Sequence, residues 1–142
     1  MRALGLDLGS RRIGVAVSSG AVASPIETIE RAGDRALDHR RLLELALEWE
    51  ADVLVIGLPY SLDGSIGPAG EAIIEEVEQL RATTSMPIEL YDERLTTVTA
   101  HRLLQEGGLG GRSRRQVVDK VAATVLLQAW LDSRASESRV GD

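Results

Sequence analysis

The chain has 142 residues, 44% hydrophobic and 27% charged, which is the composition of an ordinary soluble domain. Its formal net charge of −6 argues against attraction of nucleic acid to the whole surface, although a local basic face remains compatible with it. The absence of cysteine excludes disulfides, thiolate metal sites and cysteine nucleophiles. Because no apolar run suits a signal peptide or a membrane span, we expect a cytoplasmic protein without membrane partners.

Three strands are predicted at the start of the chain. Ala3–Leu8 is an apolar run typical of a buried strand, and Gly9–Arg12 predicts a tight turn into a returning strand at Ile13–Ser18. Val22–Ile29 has the composition of a third strand, in which Pro25 indicates an edge position or a bulge.

The next part of the chain alternates helix and strand. Asp34–Glu50 has helical periodicity, with His39 away from its apolar side. Val53–Gly57 is typical of a parallel strand covered on both faces. Leu58–Gly70 predicts a long loop because it is rich in glycine and proline, and Glu71–Ala82 returns to helical spacing. The apolar side of the first helix is predicted to consist of Leu37, Leu42, Leu45, Ala46 and Trp49.

The last part is predicted to contain one strand and two helices. Ile88–Tyr91 is the strand, and Thr96 or Thr97 is placed to cap a helix that runs to about Glu106. Gly107–Ser113 predicts a glycine-rich loop before a C-terminal helix.

This order of elements predicts an α/β fold with one mixed five-stranded sheet, antiparallel at first and parallel later, and helices on both faces. We expect a single domain over residues 1–133 and a disordered polar tail over residues 134–142.

Asp119 is a carboxylate within the apolar stripe of the C-terminal helix. A step of about 100° per residue places it between Leu126 and Trp130. A buried carboxylate is costly unless it is paired, hydrogen-bonded, protonated or bound to a metal. The stripe consists of Val117, Val118, Val121, Ala122, Val125, Leu126, Ala129 and Trp130.

Asp7 is a second acid in a core element. It shares one face of its strand with Ala3 and Gly5, and these small residues would let another element approach closely. The helix of Asp119, with its own small Ala122 and Ala123, is a candidate for that element. Asp7 alternatively caps the following turn by accepting hydrogen bonds from backbone amides.

Asp92 and Glu93 follow the last predicted strand and supply a third candidate acid. Strand parity does not decide between them because it loses force where a strand ends. A solvated charge cluster is the alternative interpretation. Carboxylates gathered at strand ends are what Mg²⁺ requires, and two such ions can activate water and stabilise the leaving oxygen of a phosphodiester.

Basic residues cluster beside Asp119. Positive charge at a helix N-terminus opposes the helix dipole, so the cluster indicates contact with an external phosphate, although a salt bridge to the acid is an alternative. Arg11 and Arg94 lie near the other acids and could extend the same face. The cluster consists of Arg112, Arg114, Arg115 and Lys120.

Four motifs in order resemble those of the YqgF (RuvX) family of pre-16S rRNA nucleases, also called Holliday junction resolvase-like proteins. The resemblance covers residues 2–132. Gly57-Leu58-Pro59 is followed by Tyr60-Ser61-Leu62, where relatives often have a Leu-Asn-Met type of sequence. The motifs are Gly5–Ala16, Gly57–Pro59 with Asp63–Ser65, Asp92–Thr97 and Val118–Ala123.

The resemblance implies a ribonuclease H-like fold and a metal-dependent nuclease that trims the 5′ end of the small-subunit rRNA precursor. It places the catalytic and metal-binding acids at Asp7, Glu93 and Asp119, with Mg²⁺ or Mn²⁺ as cofactor, and so favours Glu93 over Asp92. Precursor rRNA and ribosomal assembly intermediates are the implied partners.

Two alternatives share these motifs. A Holliday junction resolvase would use the same chemistry on branched DNA, with paired active sites from a symmetric dimer. A non-catalytic nucleic-acid-binding factor would use the basic cluster alone.

Overall fold

A computed structural model gives the fold for residues 1–96, 99 and 111–141, and it describes side chains in the last helix from residue 121 to residue 137. The strands are β1 (Ala3–Leu8), β2 (Arg12–Ser19), β3 (Val22–Glu30), β4 (Val53–Leu58) and β5 (Ile88–Asp92). The helices are α1 (Arg35–Glu48), α2 (Pro68–Arg81) and α3 (Gly111–Gly141), and a 3₁₀ turn spans Glu93–Thr96.

The five strands form one mixed sheet in the order β3-β2-β1-β4-β5. β2 pairs antiparallel with both β1 and β3, whereas β4 runs parallel to β1 and β5. β3 is an edge strand, and its register with β2 shifts between Val15 and Ala16, where Ala16 pairs with Pro25. The predicted mixed sheet is therefore confirmed, and Pro25 lies both on an edge and beside an irregularity.

The two faces of β1 lie in different hydrophobic cores because successive side chains of a strand point in opposite directions. Leu4 and Leu6 pack in the core that includes α1 and α2 residues such as Leu42 and Leu80. Ala3 packs on the opposite face, in a second core to which α3 contributes Ala123, Leu126, Leu127 and Trp130. Helices cover both faces of the sheet, as predicted.

Gly5 lets α3 approach β1 closely. A Cβ atom at this position would lie 2.8 Å from the Cβ of Leu127 and 3.1 Å from the carbonyl oxygen of Ala123. The C-terminal helix therefore packs against the small-residue face of β1, and Ala123 is one of the small residues expected there.

Helix α2 begins at Pro68, three residues before the predicted start at Glu71. Proline at the first helical position has a suitable φ and lacks an N–H that would have no partner in the helix. For α1, Asp34 is the N-cap, and its Oδ1 accepts a hydrogen bond of 2.9 Å from the N–H of Ala36.

Helix α3 continues to Gly141, so the prediction of a disordered tail from residue 134 is wrong for residues 134–141. This segment contains neither proline nor glycine before Gly141, so nothing in it breaks a helix. The guanidinium of Arg134 also lies 4.7 Å from the ring centroid of Trp130.

The predicted helix from Thr96 or Thr97 to Glu106 and most of the predicted loop at Gly107–Ser113 lie outside the described residues. Thr96 ends the 3₁₀ turn, and residues 111–113 belong to α3. Within the described ranges, none of the helices combines the length and apolar character of a membrane span.

Replacing Gly5 with alanine is expected to reduce the free energy of unfolding by about 1–3 kcal/mol, because the added methyl group overlaps Leu127 and the α3 backbone. Urea unfolding measures the change. Gly67→Ala, at the N-cap of α2, is the control and should cost no more than about 1 kcal/mol, since a Cβ there meets only the Ser61 hydroxyl oxygen at 3.4 Å. A Gly5→Ala protein as stable as wild type would contradict the close packing of α3 on β1.

Candidate active site

Asp7, Asp92 and Glu93 lie at the same edge of the sheet. Strands β1, β4 and β5 run parallel, so their carboxyl ends coincide. Asp7 is the penultimate residue of β1, Asp92 ends β5, and Glu93 begins the 3₁₀ turn that follows. Ligands of open α/β sheets characteristically bind in the crevice outside the carboxyl ends of the strands.

Glu93 turns back over the sheet and lies against Gly57 of β4. A Cβ atom on Gly57 would come within 2.6 Å of Glu93 Oε1 and 3.0 Å of its Cγ. Glycine is therefore required here by close approach. Since β4 is the neighbour of β1, this placement carries the Glu93 carboxylate from the end of β5 towards Asp7.

The pKa of Glu93 is raised by its surroundings. Burial raises the pKa of Glu93, and the negative charges of Asp7 and Asp92 raise it further. Both effects disfavour the ionised carboxylate, and a bound cation would oppose them. The arrangement is that of a partly desolvated anionic site.

Asp92 is in a different environment because Arg94 neutralises it. The Nη2 and Nε atoms of Arg94 lie 2.7 and 3.1 Å from Asp92 Oδ2, and the backbone N–H of Arg94 donates to Oδ1 at 2.9 Å. The hydrogen bond from the Arg94 side chain holds the pKa of Asp92 below its usual value. The structure thus distinguishes the two neighbouring acids, which strand parity could not do.

Arg94 also holds the loop after β4. Its guanidinium lies 5.0 Å from the centroid of the Tyr60 ring, and Nη1 lies 3.4 Å from the carbonyl oxygen of Ser61. Arg94 is thus already engaged by Asp92 and this loop, although 39% of its side chain remains exposed.

A cavity of about 540 Å³ opens beside Asp7 and Glu93. Ser10 borders it next to β1, and α2 borders it through small and apolar side chains such as Ala72 and Ile73. Charged groups of Arg31, Asp34, Arg35, Asp38 and Glu76 complete the lining.

Buried ionic side chains form a network at the wall of this cavity. Arg31 Nη1 and Nη2 donate to the two carboxylate oxygens of Glu76 at 2.8 and 2.9 Å. The Nε2 of His39 lies 2.8 Å from Glu76 Oε2, and Asp38 Oδ2 lies 3.6 Å from Arg31 Nη1. Asp38, His39 and Glu76 are all buried, at 2–4% exposure.

Burial raises the pKa of Glu76, but the hydrogen bonds from Arg31 and His39 and the charge of Arg31 outweigh it, so the pKa lies below the ordinary value of 4.5. Glu76 is therefore an ionised, fully paired carboxylate inside the protein.

The sequence interpretation missed this network, although the spacing carried a signal. His39 precedes Leu42 by three residues, and Glu76 follows Ile73 by three, so each shares a helix face with core residues. The prediction that Leu37 and Trp49 lie on the apolar side of α1 is wrong, because their side chains are 48% and 38% exposed.

The structure reaches only part of the predicted site. Asp7 and Glu93 border one cavity, and Arg11 is exposed in the turn between β1 and β2. The side chain of Asp119 lies outside the described residues, as do those of Arg112, Arg114, Arg115 and Lys120. Among the side chains that are described, no group of three acids or histidines is close enough to hold a metal.

A family model described as "RuvX: Holliday junction resolvase" matches residues 1–133. The chain belongs to the RuvX family. A relative from Desulforudis audaxviator, named "Putative pre-16S rRNA nuclease", is 44% identical over 138 residues, covering 96% of this chain and 97% of that protein. A relative of the same name from Rhodococcus opacus is 43% identical over 147 residues, which cover 99% of this chain and 83% of that relative.

Solved structures of resolvases share the fold of this RuvX family member. Thermus thermophilus RuvC in complex with a Holliday junction substrate has a TM-score of 0.63 at 12% identity, covering 95% of this chain and 96% of that one. The yeast mitochondrial Holliday junction resolvase has a TM-score of 0.54 at 12% identity, and the match covers 91% of this chain and 77% of the resolvase chain. The expected ribonuclease H-like fold is confirmed, and at these identities the likeness concerns the fold alone.

Replacing Glu76 with glutamine should lower the free energy of unfolding by about 3 kcal/mol at neutral pH, because Arg31 loses the charge of its buried partner. A carboxylate with a lowered pKa stabilises the fold above its unfolded pKa, and this stabilisation is lost as pH falls through the folded pKa. The difference between variant and wild type should therefore shrink below about pH 4.5. Urea unfolding from pH 3 to pH 7 measures it, and a pH-independent difference would contradict the ion pair.

Proposed function

We propose that this RuvX family member is a metal-dependent nuclease that hydrolyses a phosphodiester near the 5′ end of precursor 16S rRNA. The observation that carries the proposal is the convergence of two acids at the carboxyl ends of β1 and β5: Glu93 lies in the space above Gly57 of the intervening β4 and borders the same cavity as Asp7. Relatives named for pre-16S rRNA cleavage support the choice of substrate. Ribosomal assembly intermediates in the cytoplasm would present that RNA.

The residues fit a divalent cation. Asp7 and Glu93 offer hard carboxylate oxygens, which Mg²⁺ and Mn²⁺ favour. The close contact between Glu93 and Gly57 limits where the Glu93 carboxylate can lie. Bound there, the cation would supply Lewis-acid stabilisation of charge on the phosphate and of the leaving oxygen. The chain's own contribution is to hold the two carboxylates together against their repulsion.

Asp119 is proposed as the third acid. The C-terminal half of α3 contacts the β2–β3 turn, where the side-chain amide of Gln128 donates to the carbonyl oxygen of Ala21 and accepts from the N–H of Ala23. Closer to its N-terminus, α3 lies against Gly5 at Ala123. It also contacts the 3₁₀ turn that carries Glu93. Asp119 precedes Ala123 by one helical turn, in the direction away from the β2–β3 turn. This course supports a position for Asp119 near the carboxyl end of β1.

The basic residues are proposed to hold the nucleic acid backbone. Arg11 is exposed in the turn that follows Asp7, where a strand crossing the acidic site would pass. Arg94 would contribute its exposed edge while it keeps the Tyr60 loop in place. Arg112, Arg114, Arg115 and Lys120 would continue this path along the start of α3, as phosphate contacts that carry no base specificity.

Branched DNA is the second candidate substrate. The description of the matching family model names a Holliday junction resolvase, and the fold is shared with a RuvC structure that contains a junction. Two symmetry-related sites would then be needed to cut both strands. Cleavage assays with precursor rRNA and a four-way DNA junction, run in parallel with Mg²⁺ or Mn²⁺, separate the two candidates.

Asp7→Asn, Glu93→Gln and Asp119→Asn should each lower the metal-dependent cleavage rate by at least about 100-fold, because each removes an anionic oxygen from the proposed metal site. Gel analysis of cleaved precursor rRNA gives the rates. Asp92→Asn is the control: the asparagine oxygen can still accept the hydrogen bonds of Arg94 that hold the turn, so this variant should keep substantial cleavage activity.

Full activity in the Asp7→Asn protein would reject the nuclease assignment. Loss of activity in Asp92→Asn but not in Glu93→Gln would show that Asp92, and not Glu93, is the essential acid. A wild-type protein that binds RNA but does not cleave it would favour the non-catalytic binding factor.

Replacing both Arg114 and Arg115 with alanine should flatten the salt dependence of RNA binding, by roughly 0.7 in the logarithmic slope for each phosphate that the protein no longer neutralises. Fluorescence anisotropy at several salt concentrations measures the slope. Arg40 and Arg41, a second adjacent pair on α1, give a control double variant with the same change in net charge. An equal effect of both double variants would contradict a local phosphate-binding surface.

A further inference from the structure

Residue 31 holds the turn between β1 and β2 at two points. Its backbone N–H donates to the carbonyl oxygen of Arg11 at 2.9 Å, which continues the pairing of β2 with β3. Its side-chain Nε donates to the carbonyl oxygen of Gly9 at 2.8 Å. One residue that follows β3 therefore fixes both ends of the short turn after Asp7.

This turn is tight, so a displacement of Gly9 reaches Asp7. The N–H of Gly9 donates to the carbonyl oxygen of Asp7 at 3.0 Å. A Cβ at Gly9 would lie 2.5 Å from the carbonyl oxygen of Arg12, so the two ends of the turn lie close together. The Gly9 peptide is therefore bonded directly to the backbone of Asp7.

The guanidinium of Arg31 is itself immobilised. The carboxylate of Glu76 accepts hydrogen bonds from both Nη atoms of Arg31, and His39 of α1 is hydrogen-bonded to the same carboxylate. Only 14% of the Arg31 side chain is exposed. The guanidinium of Arg31 thus donates through Nη1 and Nη2 to Glu76 of α2 and through Nε to the carbonyl oxygen of Gly9. Lysine offers a point charge on a flexible stem and cannot keep both directions at once.

Stability alone does not account for this arrangement. Buried ion pairs are weak sources of stability, because desolvation offsets their attraction and apolar residues of similar volume often serve as well. Apolar side chains could hold α1 and α2 to the sheet, but they could not donate to the carbonyl oxygen of Gly9. The specific property of arginine at this position is its reach into the turn beside Asp7.

We propose that Arg31 is a positioning residue: through Gly9 it orients Asp7 for metal binding, and Glu76 together with His39 holds Arg31 in place. This role rests on the proposed function, because it assumes that Asp7 binds the metal. Partners that orient a metal ligand in this way typically contribute a factor of about 10–100 in metal affinity or activity.

The test uses Arg31→Lys, which keeps the charge beside Glu76 but loses the bond to Gly9. Mn²⁺ affinity is measured on the protein without nucleic acid, by electron paramagnetic resonance of the free ion, and kcat and KM are measured on precursor rRNA. We expect Mn²⁺ affinity and kcat to fall about 10-fold or more and KM to change little. All measurements are made well below the melting temperature of each variant.

Arg41→Lys is the matched control. Arg41 also joins α1 to β3 through an ion pair, with Glu27 at 3.1 Å, but it does not border the cavity. It should leave Mn²⁺ affinity and kcat at wild-type values. Arg31→Met, which removes the charge as well, should reduce Mn²⁺ affinity at least as far as Arg31→Lys.

Hydrogen exchange of the Gly9 amide tests the turn independently of catalysis, and it should be faster in Arg31→Lys than in Arg41→Lys. Wild-type Mn²⁺ affinity and wild-type Gly9 exchange in a folded Arg31→Lys protein would overturn the proposal. If wild type cleaves neither RNA nor DNA, the proposed function fails, whereas the Mn²⁺ and exchange measurements still decide whether Arg31 orients the turn.

Discussion

The carboxylates of Asp7 and Glu93 repel each other, and the structure around them holds them together. Glu93 cannot relax away easily, because it begins a 3₁₀ turn fixed by the Asp92–Arg94 pair and fits over Gly57. Burial and the like charges of Asp7 and Asp92 both raise its pKa, because they disfavour the ionised carboxylate. A carboxylate with a perturbed pKa in a cleft is typical of a functional site.

Glycines at two positions make this arrangement possible for different reasons. Gly57 leaves space for the Glu93 carboxylate, and Gly5 leaves space for α3, the helix that contains Asp119. On the opposite face of β1, the segment between β3 and α1 contributes Arg31 to the same cavity, α1 contributes Asp38 and α2 contributes Glu76. The acidic site thus depends on both layers of helices.

Much of the fold could be predicted because hydrophobic periodicity reports directly on burial. The all-apolar β4 indicated a parallel strand covered on both faces, the apolar run of β1 indicated a buried strand, and Pro25 indicated an edge position or a bulge. The choice of Glu93 over Asp92 could not be derived from periodicity, since it depends on a turn after β5 and on the pairing of Asp92 with Arg94. The Arg31–Glu76 pair was missed because it joins segments 45 residues apart, and a charged residue on a helix is normally assigned to solvent.

A crystal structure grown with Mn²⁺ and analysed by anomalous scattering is the most direct test of the proposed metal site. We expect a Mn²⁺ peak coordinated by the carboxylates of Asp7 and Glu93, with Asp119 completing the acidic set, and loss of this peak in Asp7→Asn crystals. A Mn²⁺ ion bound elsewhere, with Asp7 and Glu93 uncoordinated at saturating Mn²⁺, would contradict a metal site at these acids.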